Sequence, residues 1–283
     1  MPHALPQLLL HPDVDHYCVI GNPVSHSLSP QIHRAFAEQT GEAIDYQAVL
    51  VETDAFADSV RALRDQGLRG ANITLPFKHE AWALCDRRSA RAERAGAVNT
   101  LSCSDAGLFD GDNTDGIGLL RDLRDNQGVE LADRDILIAG AGGAVAGIID
   151  SLFDARPASI TIANRSLDKA RQIAARFADR GRIQALAYAE LGERAFPLII
   201  NGTSLSLQGQ LPALPERVLA PGGFVYDMMY QHEPTCFMRW AEQHGAAASA
   251  DGLGMLVEQA AEAFALWRGV RPDSRPVIAQ LRG

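Results

Sequence analysis

The sequence contains few cysteines and no long apolar run, and each of these absences excludes a class of protein. The four cysteines are far apart and form no CxxC or Cys/His spacing: Cys18, Cys85, Cys103 and Cys236. We therefore expect reduced, mostly buried thiols, with neither disulfides nor a bound metal. No stretch approaches the roughly 18 to 20 apolar residues that a membrane-spanning helix requires.

Positive charge is also scarce. The chain has 26 Lys and Arg against 35 Asp and Glu, a net charge of −9, and its basic residues form no block beyond short pairs. Nucleic acid and anionic membranes are therefore poor partner candidates, and a small-molecule ligand is expected. Residues 1–11 lack the charged start and continuous apolar run of a signal peptide, so we expect a cytoplasmic protein.

The chain does contain a repeated alternation of strands and helices. In its first part, strands are expected at 17–20, 46–51 and 70–75, with helices at 55–66 and 79–95. This pattern predicts a compact α/β domain with a largely parallel sheet. At 283 residues, the chain is long enough for a second domain of ordinary size.

The stretch from Asn72 to Lys78 contains the first candidate for chemistry. Alternation along the strand places Asn72 and Thr74 on one, polar face and apolar residues, Leu75 among them, on the other, which is expected to face the core. Pro76 then ends the strand, and Lys78 follows it as a lone cation. A polar face that ends in a cation suits an oxygen-rich ligand, although an isolated lysine after a strand is often only a solvated charge.

A second polar stretch, residues 111–116, places carboxylates and amides between two glycines. It fails the calcium-loop template, because its first ligand position is Gly111 and its twelfth is Asp122. If Asp115 lies beside Lys78, the two side chains can hold a proton near a carbonyl oxygen while a hydride is delivered to the carbonyl carbon.

The source of the hydride is indicated by a glycine-rich turn at 140–147. An apolar strand, 135–139, precedes the turn and a helix follows it. In this context the glycines let the backbone approach a pyrophosphate, and the helix N-terminus supplies free N–H groups and a positive dipole. The turn departs from G-x-G-x-x-G because Val145 occupies the last glycine position, so a plain tight turn is the alternative.

The next strand, 159–163, ends in Asn164, Arg165 and Ser166, with Lys169 one helical turn further on. An NAD enzyme usually has an acidic residue at this strand tip for the ribose 2′-hydroxyl, whereas a cation accommodates a 2′-phosphate. The tip has no acid, and Arg165 and Lys169 supply positive charge. The predicted cofactor is therefore NADP.

The rest of the chain completes a doubly wound, Rossmann-type pattern with one more helix and three strands, at 167–179, 183–186, 198–201 and 224–227. The last two strands end in polar turns that contain Thr203 and Met228, and such sheets bind ligands at the carboxyl ends of their strands. A long apolar helix is predicted over 253–267. It places Met255 and Gln259 on one face, so that one could touch a nicotinamide and the other a substrate hydroxyl, although Met at helical spacing is usually core.

Two serines in the loop near the N-terminus have different expected roles. Ser29 fits as the cap of a helix that has Pro30 at its first position, whereas Ser27 has no such local role and is freer to meet a ligand. His26 beside two serines could suggest a hydrolase. However, the G-x-S-x-G elbow is missing, and a Ser/His pair in a loop is common by chance.

Together these motifs resemble shikimate dehydrogenases of the bacterial biosynthetic type, over about residues 17–281. The resemblance rests on seven motifs that occur in the family order, at residues 21–30, 72–78, 96–100, 112–116, 140–144, 164–166 and 251–256. Each motif alone is modest support. Seven in order are specific.

The resemblance implies a substrate domain formed by residues 1–115 and 252–283, an NADP-binding Rossmann domain formed by 116–251, and a cleft between them. The implied catalytic residues are Lys78 and Asp115. The implied substrate ligands are Ser27, Ser29 and Tyr230 for the carboxylate, and Thr74, Asn99 and Gln259 for the ring hydroxyls. Together with the turns described above, the expected cofactor contacts are Gly140, Gly142, Gly143, Ala144, Asn164, Arg165, Ser166, Lys169, Thr203, Met228, Gly252 and Met255.

The family reaction is the NADPH-dependent, reversible reduction of 3-dehydroshikimate to shikimate, on the pathway to chorismate and the aromatic amino acids. The resemblance thus implies a cytoplasmic biosynthetic oxidoreductase, with a homodimer as one possible assembly. The sequence departs from many relatives at Val145 and Ala146, where they have a polar or basic residue. A missing arginine at Ala146 would remove one charge near the cofactor phosphates.

Three other functions are consistent with parts of the pattern. A degradative quinate/shikimate dehydrogenase, often NAD-linked, is expected to have an acid beside Arg165, where this chain has Ser166. A catalytically silent paralogue that binds a metabolite is disfavoured by the intact Lys78 and Asp115. A two-domain dehydrogenase for folate or glutamyl substrates is not supported by the serine pair Ser27 and Ser29.

Overall fold

The computed structural model describes residues 5–283 of the protein. Residues 1–4, where both the N-terminal segment and the first predicted domain begin, lie outside the described residues. The chain forms two compact units: the first extends to Thr114 and includes residues 259–281 and 283, and the second comprises residues 115–258 and 282. Asp115, residues 252–258 and Arg282 belong to the predicted substrate domain but fall in the second unit. In the described part of the chain, no helix is long and apolar enough to span a membrane.

The first unit is built on a mixed sheet with the strand order β2-β1-β3-β5-β6-β4. Its strands are β1 (Asp15–Gly21), β2 (Ile44–Leu50), β3 (Leu68–Ile73), β4 (Arg87–Arg88), β5 (Thr100–Cys103) and β6 (Phe109–Asp112). β1 pairs in parallel with β2 and β3, whereas β5 runs antiparallel to β3 and β6. The predicted, largely parallel sheet is thus parallel only in part, because a short antiparallel hairpin extends it.

Helices cover this sheet and bury the apolar side chains of its strands. They are α1 (Ser29–Thr40), α2 (Phe56–Asp65), α3 (Lys78–Leu84) and α4 (Ala90–Ala95). The core includes Ile20 of β1 and Ile73 of β3, together with a stacked pair, Phe56 and Phe77, whose ring centroids are 4.8 Å apart. This burial is the main stabilising term for the unit, because apolar area removed from water contributes roughly 25 cal/mol per Å².

The second unit contains the predicted Rossmann-type sheet. Its elements begin with α5 (Asp115–Arg121) and a π-helical turn (Asp122–Asn126), and continue through β7 (Asp135–Ala139), α6 (Gly143–Asp154), β8 (Ser159–Ala163), α7 (Leu167–Arg176), β9 (Ile183–Leu186), β10 (Phe196–Asn201), β11 (Leu219–Asp227), α8 (Cys236–Gln243) and β12 (Ala248–Ala250). Short 3-10 helices cover Tyr188–Leu191 and Leu205–Gln208. All strand pairs are parallel, and the order is β12-β11-β10-β7-β8-β9.

This order is that of a doubly wound dinucleotide-binding sheet, in which the strand order reverses between the neighbouring strands β7 and β10. The central strands β7, β8 and β10 are buried on both faces, as their nearly continuous apolar sequences predict. The predicted α/β class and Rossmann-type sheet are confirmed. Two further helices complete the chain: α9 (Leu253–Arg268) and α10 (Ser274–Arg282).

The predicted helix over 79–95 is wrong in its middle. The segment instead forms α3 and α4, with the two-residue strand β4 between them, which pairs with β6. Ser89 starts α4 anew, because its side chain accepts a hydrogen bond from the N–H of Ala92. Helical periodicity alone did not indicate this interruption, since β4 depends on a partner strand distant in sequence.

Candidate active site

The carboxyl ends of β1 and β3 lie at the same edge of the first sheet, because the two strands are parallel neighbours. Beyond the strands the two chain segments remain in contact. The N–H of Thr74 donates to the carbonyl of Ile20 at 2.9 Å, and the N–H of Asn22 donates to the carbonyl of Leu75 at 3.0 Å. Thr74 is therefore fixed beside the loop that contains Ser27.

The prediction that Ser29 caps α1 is wrong. The helix begins at Ser29 itself, the cap position is Leu28, and no side chain provides a capping hydrogen bond. Ser29 is buried, and its N–H donates to the Oγ of Ser27 at 3.3 Å. Both serines thus lie at the sheet edge, with Ser27 half-buried.

Lys78 also lies at this edge, as the first residue of α3. Its carbonyl accepts a hydrogen bond from the N–H of Val98 at 2.9 Å, which fixes its backbone next to the segment that precedes β5. The expectation that Leu75 faces the core is wrong: β3 ends at Ile73, and Leu75 is 65% exposed. The alternating pattern therefore extends two residues less than predicted.

The two predicted substrate amides are in direct contact. The Nδ2 of Asn99 donates to the Oε1 of Gln259 at 3.3 Å and to the Oγ1 of Thr114 at 3.0 Å. The Oδ1 of Asn99 accepts from the N–H of Thr114 at 2.8 Å and from the Oγ1 of Thr100 at 2.9 Å. The structure thus brings Asn99 and Gln259 together, although they are 160 residues apart in the sequence.

Behind this pair lies a buried polar layer that sequence reasoning missed. The Oδ1 of Asn72 accepts from the Tyr46 hydroxyl at 2.7 Å and from Nε2 of His33 at 3.2 Å, and its Nδ2 donates to the Oγ1 of Thr100 at 3.3 Å. Burial lowers the pKa of His33 to about 3, so the imidazole is neutral. Because Nε2 contacts an amide oxygen, which can only accept, the ring proton lies on Nε2. Asn72 therefore supports Thr100, and the residues around Asn99, from inside.

The segment before Asp115 is held by an ion pair that the sequence did not predict either. Arg91 Nε and Nη2 contact the two carboxylate oxygens of Asp112 at 2.7 and 2.8 Å. Burial alone would raise the pKa of Asp112, but the hydrogen bonds and the charge of Arg91 lower it below the ordinary value. This two-point contact is the strong arrangement for an arginine and a carboxylate.

In the second unit, Asp115 is the first residue of α5 and is 5% exposed. The next residue, Gly116, packs closely on α6, since a Cβ there would lie 2.6 Å from the Gly147 carbonyl oxygen. The predicted pairing of Asp115 with Lys78 stays a prediction.

The predicted dinucleotide turn joins β7 to α6. Gly140 has φ of 112°, a left-handed conformation that favours glycine, and its N–H donates to the carbonyl of Ala163 at 2.8 Å. Gly142 is the cap residue of α6, and the first turn of this helix, which includes Gly143 and Ala144, has no acidic residue. The N-terminus of α6 is therefore suited to an anion such as a pyrophosphate.

Val145 and Ala146, where the resemblance led us to expect a polar or basic residue, face the core. Val145 is 0% exposed and Ala146 2%, and both pack in the apolar cluster of the second unit. A Cβ on Gly202 would overlap the Cγ2 of Val145, so the valine fills the space beside the turn that follows β10. Val145 in place of the last fingerprint glycine therefore serves packing.

The carboxyl end of β8 presents the predicted 2′-phosphate residues. Asn164 Nδ2 donates to the carbonyl of Ser166 at 2.9 Å, which shapes the turn, while Arg165 and Lys169 are exposed. Burial raises the pKa of Tyr188 to about 12, against the opposing effect of the Arg165 charge. The Arg165 charge thus acts on Tyr188, which lies just after the neighbouring strand β9.

The remaining predicted cofactor contacts cluster after β10 and β11. The N–H of Met228 donates to the carbonyl of Asn201 at 2.9 Å, and the N–H of Gly252 donates to the carbonyl of Met229 at 3.1 Å. Met255, in the first turn of α9, is buried in the core of the second unit. Tyr230 follows Met228 and Met229 and is half-buried, and burial raises its pKa.

Three family models match the chain. The model described as "Shikimate dehydrogenase substrate binding domain" matches residues 19–101, "Shikimate / quinate 5-dehydrogenase" matches 122–205, and "Shikimate 5'-dehydrogenase C-terminal domain" matches 252–282. A relative from Alkalilimnicola ehrlichii, named shikimate dehydrogenase (NADP(+)), is 55% identical over 95% of this chain and 98% of its own. The chain belongs to the shikimate dehydrogenase family.

Two further relatives support the assignment. A shikimate dehydrogenase (NADP(+)) from Nitrosococcus oceani is 53% identical over 95% of both chains. The crystal structure of shikimate 5-dehydrogenase from Thermus thermophilus, in complex with NADP(H) and shikimate, has a TM-score of 0.85 and 33% identity, and the match covers 95% of this chain and 99% of that one.

The matched spans of this shikimate dehydrogenase family member include most of the predicted site residues. The substrate-domain match contains Ser27, Thr74, Lys78 and Asn99, and the C-terminal match contains Gln259. Asp115, Met228 and Tyr230 lie between the matched spans.

Proposed function

We propose that this protein catalyses the NADPH-dependent, reversible reduction of 3-dehydroshikimate to shikimate, on the pathway to chorismate and the aromatic amino acids. The observation that carries the proposal is the shared edge of the first sheet, where Lys78 lies with the contacting amides of Asn99 and Gln259. A lysine beside amides and hydroxyls suits a polyhydroxylated ring with a carbonyl group. The identity to relatives named shikimate dehydrogenase (NADP(+)) supports the same substrate.

The proposed chemistry places a hydride donor and a proton donor at one carbonyl group. NADPH, when bound, would supply the hydride to the carbonyl carbon, so negative charge would develop on the carbonyl oxygen. The Lys78 ammonium stabilises this charge and gives the oxygen its proton. Asp115 orients Lys78 and accepts a hydrogen bond from a neighbouring hydroxyl. In the reverse direction, neutral Lys78 accepts the proton of the shikimate hydroxyl.

The substrate ligands are proposed in two groups. Ser27, Ser29 and Tyr230 bind the carboxylate, because hydroxyl groups can donate to its oxygens. Thr74, Asn99 and Gln259 bind the ring hydroxyls. The buried layer of Asn72, Tyr46 and His33 holds the second group in place, so that it is ordered before the substrate binds.

The second unit fits an NADP cofactor. The α6 N-terminus, with Gly142 as its cap, would hold the pyrophosphate, and the exposed Arg165 and Lys169 would hold the 2′-phosphate. Thr203, Met228, Gly252 and Met255 would contact the nicotinamide end. We propose residues 1–115 and 252–283 as the substrate domain and residues 116–251 as the NADP domain, with Gly252 and Met255 of the C-terminal segment also contacting the cofactor.

An initial-rate assay tests this function. The enzyme is supplied with shikimate or quinate, each with NADP or NAD, and reduced cofactor is measured. Shikimate with NADP should give the highest kcat/KM. Rapid oxidation of quinate with NAD would instead favour the degradative quinate/shikimate enzyme, and activity with none of the pairs would favour a metabolite-binding paralogue.

We further propose that the enzyme acts in the cytoplasm as a homodimer. The exposed Leu50 on the edge strand β2 is consistent with a partner on that side. Sedimentation velocity at micromolar concentration measures the assembly, and a single monomer peak would contradict it.

A further inference from the structure

Two polar side chains end neighbouring strands in the second unit. Asn201 is the last residue of β10 and Asp227 the last residue of β11, and they are opposite each other in the parallel register. Both are 0% exposed, and the Nδ2 of Asn201 donates to the Oδ1 of Asp227 at 2.9 Å. A buried amide and carboxylate are costly unless they are hydrogen-bonded, so their partners indicate what the pair does.

Asn201 fixes the loop that follows its own strand. Its Oδ1 accepts from both the N–H and the hydroxyl of Thr203, at 3.0 and 2.7 Å, and its Nδ2 also donates to Ser206 Oγ at 3.0 Å. Thr203 is thereby held against the dinucleotide turn, since a Cβ on Gly140 would lie 3.1 Å from its methyl group. One side chain therefore sets the geometry of the loop beside that turn.

Asp227 fixes the loop after β11. Its Oδ1 accepts from the N–H of Met229 at 3.1 Å, while the N–H of Met228 donates to the main-chain carbonyl of Asn201 at 2.9 Å. Burial raises the pKa of Asp227, against hydrogen bonds from Ser206 and others. The contact between Asn201 and Asp227 thus links the loops that follow β10 and β11.

We propose that Asn201 and Asp227 are positioning residues for the cofactor: they set Thr203 and Met228 in the geometry that binds NADP, without touching the cofactor themselves. The inference rests on the proposed function, because it requires the cofactor at the carboxyl edge of the second sheet. If the pair were purely structural, its substitution would change the stability of the protein alone. A positioning pair also affects cofactor binding at temperatures where every variant is folded.

The test compares Asn201→Ala and Asp227→Ala with Thr161→Val. The control removes a buried hydroxyl in β8 that accepts from Gln184 at 3.0 Å, away from both loops. The dissociation constant of NADPH is measured by fluorescence titration without substrate, below the melting temperature of each variant. We expect it to rise about tenfold to a hundredfold in both alanine variants, the size expected for one or two lost hydrogen bonds, and to stay unchanged in the control.

Steady-state kinetics provide a second readout. KM for NADP should rise in the alanine variants, while KM for shikimate, measured at saturating NADP, should not change. Compared with Asp227→Ala, the variant Asp227→Asn should keep most of the wild-type NADPH affinity, because an amide oxygen can still accept from Asn201 and Met229.

A folded Asn201→Ala that binds NADPH as tightly as the wild type would overturn the proposal, as would an equal loss of affinity in Thr161→Val. If neither alanine variant folds, Ser206→Ala decides, since it removes only one support of Asn201: a raised dissociation constant supports the pair's role and an unchanged one contradicts it. A wild-type protein that does not bind NADPH would instead refute the proposed function.

Discussion

Lys78 is the residue on which the proposed chemistry depends. Its position in the first turn of α3 is fixed by the backbone bond from Val98 and by the buried neighbour Phe77. Hydride transfer to a carbonyl needs a proton donor at the oxygen, and Lys78 is the proposed donor. A solvated surface lysine would not affect turnover, so the two interpretations separate in kinetics.

For Lys78→Ala we expect kcat to fall by about 10² to 10⁴, the usual contribution of a positioned acid or base, with a smaller change in the KM for shikimate. Initial rates with saturating NADP measure both. Glu80→Ala, at an exposed position in the same turn, is the matched control and should retain activity. Retained turnover with weakened binding would make Lys78 a ligand and not the acid.

Asp122 is a buried carboxyl with an uncommon environment. It is 0% exposed and accepts a hydrogen bond from the Tyr226 hydroxyl at 2.6 Å. Burial raises its pKa above the ordinary value of 3.8, against the hydrogen bonds that favour the charged form. Because the folded-state pKa is the higher one, its contribution to stability is complete below pH 3.8 and is lost as pH rises through the folded-state value.

Asp122→Asn should remove this pH dependence. The variant cannot ionise, so the free energy of unfolding of the wild type should fall relative to that of the variant as pH rises from about 4 toward neutral. Urea unfolding at a series of pH values measures the difference. Parallel pH curves for the two proteins would show that Asp122 does not titrate differently in the folded and unfolded states.

At the scale of elements, two glycines at the ends of α5 and α6 have opposite expected roles. Gly116 lies where α5 packs on α6, and a Cβ there would be 2.6 Å from a main-chain oxygen. Gly142, at the start of α6, has no atom within 4 Å of such a Cβ and has φ of −96°. One glycine is therefore needed for helix packing, and the other leaves space for a ligand.

We predict that Gly116→Ala lowers the free energy of unfolding by roughly 1 to 3 kcal/mol, the usual cost of overpacking. Gly142→Ala should leave stability unchanged but weaken NADPH binding by about tenfold or more, equivalent to about 1.4 kcal/mol of clash with the pyrophosphate. Thermal unfolding and NADPH titration of both variants measure this. Equal effects of the two substitutions on both quantities would contradict the assignment of α6 as the pyrophosphate helix.

The sequence predicted the second unit better than the first, for a physical reason. Strands buried on both faces, such as β7 and β8, appear as apolar runs, and the glycine turn marks where the helix begins. β4 has only two residues, and both are arginines, so its strand conformation depends on pairing with β6. The helix α8 and the strands β6 and β12 had no pattern strong enough to predict.

The site shows the same division. Residues in local motifs could be identified: Lys78 follows a predicted strand, and Asn99 lies in the family motif at residues 96–100. His33 and Tyr46 could not, because they support the site through Asn72, which is 39 and 26 residues away in the chain. Partners at such distances are set by strand order, which the local pattern does not determine.

At the scale of the whole molecule, we propose that NADP binds mainly to the second unit and shikimate mainly to the first. Hydrogen exchange measured by mass spectrometry tests this assignment. NADP should protect amides near residues 140–146, 203 and 228, whereas shikimate should protect those near residues 74–78 and 99–101. A cofactor footprint confined to the first unit would contradict the domain assignment.

The most direct test of the central claim follows the hydride itself. The enzyme is incubated with 3-dehydroshikimate and NADPH that carries deuterium at both positions of nicotinamide C4, and the product is analysed by NMR. We predict shikimate with one deuterium on the carbon that bore the ketone. Unconverted 3-dehydroshikimate, or shikimate without deuterium at that carbon, would contradict it.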